Sequence, residues 1–182
     1  FSRQVRRASA LLQGLIDQGM RHDASWHFLR MGRYVERAEK TARLPIVRGH
    51  VALIERAARE FAQGIDCGRH WVSLADTGNM AETFAAMGIG AGQQADDVIE
   101  RAQRALSDVH QRHSQRGSWT LYADEIDALQ WLVRLHAVQL GACSYREFST
   151  AMDRTAQRIA QARAGNAPAG AIVIIGDLGV PA

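Results

Sequence analysis

The chain has only two cysteines in 182 residues, Cys67 and Cys143, far apart in sequence. That excludes the disulfide framework of a small secreted domain and leaves two ordinary reduced thiols. No apolar run approaches the length of a bilayer span. The first twenty residues carry Arg3, Arg6 and Arg7 but no signal-type apolar core or cleavage site, so a cytoplasmic location is expected. Lysine is nearly missing: Lys40 is the only one, a bias that a GC-rich genome produces as readily as a function does. Signatures of common chemistry are missing as well. There is no Gly-x-Ser-x-Gly elbow, no Walker loop and no paired catalytic cysteine signature, which favours a non-enzymatic protein. The first residue is Phe1 rather than Met, so we expect a fragment, a processed product or an excised domain.

What is present is the composition of an ordinary globular chain, 47% hydrophobic and 23% charged, long enough for one sizeable core or two small ones. The net charge of +3 hides an asymmetry: residues 1–50 hold ten Arg or Lys against four Asp or Glu, the remainder twelve against fifteen. A change of charge at one seam makes a fused or chimeric origin an expectation.

Helical periodicity runs along nearly the whole chain. Val5, Ala8, Leu12, Leu15 and Ile16 form a first stripe, stopped by Gly19. His22-Asp23-Ala24-Ser25 offers N-caps for a second helix, with Phe28, Met31, Val35, Ala38 and Ala42 inside. Pro45 predicts that this helix ends or kinks there. Val47, Val51, Ile54, Ala58 and Phe61 mark a third helix, closed by Gly64. Trp71, Leu74, Phe84 and Met87 mark a fourth that Gly78 threatens to break in two. Val98, Ala102, Ala105 and Val109 mark a fifth, reaching about His113, and Ile126, Leu129, Val133, His136 and Leu140 a sixth over roughly 124–140. Ser144 and Glu147 read as a capping box opening a seventh, with Phe148, Met152, Thr155 and Ile159 inside and Gly165 beyond its end. The strand-like run Ala171 to Ile175 has no partner strand in the chain and is expected extended, frayed or paired with another chain. The expected fold is therefore all-α, a bundle of about six to seven amphipathic helices with an extended or frayed C-terminal tail. It divides as a helical pair over 1–45, a helical domain over 46–167 and the tail over 168–182.

The segment Trp26 to Leu44 is the most patterned. Gly32 in mid-helix costs about 1 kcal/mol relative to alanine, which suggests close approach by a neighbouring helix. Glu36 with Lys40 and Glu39 with Arg43 pair at four-residue spacing, and Arg33 and Arg37 lie four apart with Glu36 beside both. One reading of this Arg-Glu-Arg cluster is an ion network at a helix contact. The other is an anion or carboxylate site, in which guanidinium forks bind and Glu36 orients them or acts as a base.

Trp26, Gly32, Arg33, Tyr34, Glu36, Arg37, Ala38, Thr41, Ala42 and Arg43 match, in order and spacing, the motif of the alpha-E family, and Leu12-Gln13-Gly14-Leu15 and Met20-Arg21 resemble the approach to its second copy. Over about residues 1–44 the chain thus resembles this group of bacterial helical proteins of unknown function, and 1–45 reads as a partial alpha-E-like helical pair. The resemblance implies an occurrence beside ATP-grasp ligase-like and transglutaminase-like proteins, and so a component of a peptide-bond-forming system. The family helix continues through further aliphatics and an Asp, whereas here Leu44-Pro45 interrupts it.

The remaining motifs read as structural. Gly88-Ile89-Gly90-Ala91-Gly92 lacks the third glycine of a dinucleotide loop, since residue 93 is Gln, and is better read as a helix joint. Cys67 with His70, and His110 with His113, form no recognised zinc framework, so no metal and no cofactor is expected. His136, on an apolar stripe, reads as a satisfied core histidine. The sequence points first to a non-enzymatic helical accessory or interaction protein with Trp26, Arg33, Tyr34, Glu36, Arg37 and Arg43 as family-motif or anion-binding residues. A protein partner or a homo-oligomer is expected and a membrane is not. The alternatives are the peptide-bond-forming component, and a nucleic-acid-binding protein acting through the basic N-terminal helices.

Overall fold

A computed structural model describes residues 45–166. The chain divides into two units between Leu44 and Pro45, and the described residues belong to the second. They hold five helices and no strand: α1 over 45–62, α2 Cys67–Ala86, α3 Gln93–Arg116, α4 Ala123–Ala142 and α5 Tyr145–Arg163. The all-α expectation holds there, with five helices in place of the six to seven expected of the chain. The first two expected helices, the end or kink at Leu44-Pro45 and the run Ala171 to Ile175 lie outside the described residues.

α2 is the central helix and packs against α3, α4 and α5. It runs unbroken through Gly78, contrary to the break that its glycine and weak apolar pattern suggested. The reason is burial on several faces at once. Thr77, Gly78 and Asn79 are all buried, and a Cβ at Gly78 would meet Leu132 at 3.8 Å. A helix enclosed on several sides carries small and self-satisfied polar residues where an amphipathic one shows a stripe. Thr77 Oγ1 donates to the Ser73 carbonyl at 2.7 Å and Thr83 Oγ1 to the Asn79 carbonyl at 3.0 Å, so neither hydroxyl is left unmet.

Two apolar clusters hold the bundle. The larger joins Ile54 and Phe61 of α1 with Trp71, Leu74, Ile99, Leu106, Val109, Leu129 and Leu132. Trp71 also donates its indole N–H to the Leu106 carbonyl at 2.9 Å, satisfying the polar tip of a ring that is otherwise enclosed. The smaller cluster gathers Phe84, Leu140, Cys143 and Ala151, with Val47, Val51, Met80 and Phe148 packed against it.

The connections explain why the helices stop. Gly88, Gly90 and Gly92 all have positive φ, which makes 87–92 the joint expected from the sequence. Gly90 is obligatory there for a second reason: a Cβ would lie 2.8 Å from Gln139 Cγ. Gly117, at φ 69°, ends α3 in the left-handed conformation and donates its N–H to the His113 carbonyl. The following loop is tied down by the buried Glu125, which accepts from Arg112 and from the Tyr122 N–H at 2.7 Å. α5 opens on the expected capping box: Ser144 Oγ accepts from the Glu147 N–H at 3.2 Å, and Glu147 Oε2 from the Ser144 N–H at 2.6 Å.

Candidate functional site

The motif residues Trp26, Arg33, Tyr34, Glu36, Arg37 and Arg43 lie outside the described residues. Within them, the most site-like feature is a cleft of about 550 Å³ among α1, α2, α4 and α5. Its apolar wall comes from Leu53 and Ile54, Met80, and the Phe148, Met152, Ala156 and Ile159 face of α5. The seventh expected helix places Phe148, Met152 and Ile159 inside. Instead Met152 is 52% exposed, Phe148 and Ile159 are half-buried, and only Thr155 of that stripe is buried. Helical spacing identifies the apolar face of a helix, but whether a neighbour covers it is a tertiary matter.

α5 is held over α2 by a polar relay beneath this face. Arg158 pairs with Glu82 at 2.6 Å and donates to Thr83 Oγ1 at 3.0 Å. Thr83 and Thr155 hydroxyls meet at 2.8 Å, and Gln103 of α3 donates to Glu82 at 3.0 Å. The relay fixes the width of the cleft by joining α5 to α2, and α2 to α3.

Three titratable residues line the cleft: His50, Asp76 and His136. His136 has 1% of its surface exposed. Burial, with His50 as a second cause, pushes its imidazole down to about 4, and the Gln139 side chain opposes this only in part. It is therefore neutral at pH 7. Neither His136 Nδ1 nor Gln139 Oε1 has a well-formed hydrogen bond among the described residues, so the Gln139 side chain holds the imidazole only loosely, and His136 is a core histidine as its place on the apolar stripe predicts. Asp76 is solvent-accessible at the rim, yet its surroundings desolvate it and push its carboxyl up, with Arg163 pulling the other way. Sequence reading missed Asp76 and His50 because they are brought together from helices that the sequence separates.

The histidines weighed as metal ligands pack in separate places. His70 Nε2 lies 2.9 Å from Glu60 Oε2. His110 stacks on Trp71 with centroids 4.6 Å apart, and His113 on Trp119 at 4.0 Å. Among the described residues no group of three or more His, Cys, Asp or Glu is placed to hold a metal ion, and no helix is long and apolar enough to cross a membrane.

A five-helix unit with an apolar cleft and few fixed polar groups defines a helical-bundle protein. A family model, Alpha-E, described as a predicted alpha-helical domain with a conserved ER motif, matches residues 1–91, half of the chain, and the chain belongs to that family. The match crosses the charge change near residue 50 and continues through α1 and α2, further than the Trp26 to Leu44 motif reached by itself. Glu-Arg occurs twice within it, at Glu36-Arg37 and at Glu55-Arg56. Arg56 pairs with Glu60 one turn on, at 2.7 Å, which makes the second an ordinary pair on the exposed face of α1. No curated protein and no solved structure matches the chain.

Proposed function

We propose that this protein is a non-catalytic helical accessory module of the cytoplasm that works by contact with a protein partner or a second copy of itself. The observation that supports this reading is the outer face of α4. Trp131 and Val138, seven residues and two turns apart, are 42% and 65% exposed, with Arg134 laid over the Trp131 ring at 4.9 Å. Apolar side chains repeated on one exposed helical face are the anchors of helix-to-helix docking, and a tryptophan with an arginine is the composition enriched at interface centres. In this reading the Arg33, Glu36 and Arg37 cluster of the motif helix serves a helix or subunit contact, and replacing Arg33 and Glu36 together changes melting or assembly.

The test is a photo-crosslinking residue placed at Val138, with a second placed at the exposed Gln115 of α3 as control. The reading expects discrete adducts of one size from position 138 in cells and none from position 115. Equal labelling at both sites, or none at either, contradicts it.

A further inference from the structure

We infer that the cleft among α1, α2, α4 and α5 is a binding site for a small amphipathic amine, whose ammonium pairs with Asp76 and whose apolar body lies between Leu53, Met80, Phe148 and Met152. The inference does not depend on the α4 face.

The volume comes first. A cavity of about 550 Å³ falls in the range of small-molecule sites, which are mostly apolar with a few fixed polar groups. Two methionines line it, Met80 on α2 and Met152 on α5, and their unbranched, polarizable side chains adapt to a ligand without a rigid shape match.

Charge selects the ligand's head group. Among the described residues Asp76 is the one carboxylate lining the cleft and no arginine or lysine lines it, His50 and His136 being its other titratable side chains. The nearby arginine of α5, Arg158, is already spent on Glu82 and Thr83. Arg163 acts on Asp76 only through its field, and among the described residues the Asp76 carboxylate makes no contact ion pair. A ligand that covers the cleft removes water from that carboxylate, which is costly unless a positive charge replaces the water. An anion there meets repulsion on top of desolvation. His136 supports the same choice: it lines the cleft, is buried, and makes no well-formed hydrogen bond at Nδ1. Held neutral by burial, His136 adds no cation of its own to the cleft to repel an ammonium.

The experiment titrates the full chain at pH 7 with n-octylamine, n-octanol and n-octanoate, three probes with one tail and a positive, neutral or negative head, by calorimetry below their aggregation limits. Saturable binding is expected in the order amine, alcohol, carboxylate, with the amine about tenfold tighter than the carboxylate. Asp76→Asn brings amine and carboxylate within about threefold of each other. Ala156→Trp places a large ring in the cleft from an exposed position and abolishes binding of all three while the helical circular dichroism is retained. The proposal is overturned by octanoate binding as tightly as octylamine, by an unchanged preference in Asp76→Asn, by full binding in folded Ala156→Trp, or by no saturable binding of any probe.

Discussion

Lowering the pH from 7 to 5 should destabilise the described unit through His136, and the size follows from its environment. In the unfolded chain the imidazole titrates near 6.5, and in the fold burial holds it down to about 4. Between those values the unfolded state binds the proton and the native state refuses it, so stability rises with pH across the window and falls on acidification. At pH 7 both states are mostly neutral and the difference is a few tenths of a kcal/mol at most. At pH 5 nearly every unfolded imidazole is protonated while most native ones are not, which costs the fold about 2 kcal/mol. Asp76, pushed up by desolvation, works in the opposite direction and is common to the wild type and the variant compared below. The assay is urea unfolding at 25 °C, at half-unit steps from pH 7 to 5, for the wild type and for His136→Leu. The other ionisable groups are common to both proteins, so the comparison isolates His136 together with its interaction with His50. The wild type should lose about 2 kcal/mol more than the variant over that range. Equal losses would show that His136 is readily protonated in the fold, and the account of it as a buried, neutral imidazole would fall with it.

Three substitutions check the scaffold around the cleft. Gly90→Ala, which combines a positive φ with a contact to Gln139, should cost about 1–3 kcal/mol in urea unfolding; a neutral outcome would mean that the 87–92 joint adjusts freely. Ser144→Ala removes the acceptor for the Glu147 N–H and should cost about 1 kcal/mol, with Ser144→Asn close to the wild type. Arg158→Ala leaves Glu82 without its ion pair and should cost about 1–3 kcal/mol. Hydrogen exchange should then speed up first in α5, and uniform acceleration through α3 and α4 would contradict the relay described above.

Much of the bundle could be read from local chemistry because its helices begin and end on local signals. The Ser144 and Glu147 box, the Gly88 to Gly92 joint and the stripes at Ile54 to Phe61 and Leu129 to Leu140 depend on neighbours a few residues away. α2 was harder. Its enclosure on several faces erases the amphipathic contrast that periodicity relies on, so the small buried stretch Thr77-Gly78-Asn79 imitates a break. The cleft was not legible at all, since the Phe148, Met152 and Ile159 stripe looks the same in sequence whether it is covered or open. Asp76 and His136 are sixty residues apart in the chain and join one cleft only because α4 and α5 both pack on α2. The family motif was the reverse case: it identified the protein's kinship from Trp26 to Arg43, and the family match then carried on into α1 and α2.

The most direct test of the cleft as a binding site uses its two methionines. In a full chain carrying ¹³C-methyl methionine, titration with n-octylamine at pH 7 should move the Met80 and Met152 methyl resonances together along one saturable curve. Met87, which packs in the smaller cluster outside the cleft lining, should stay in place. Met80 and Met152 unmoved, or all the methionines moving alike, would contradict the account.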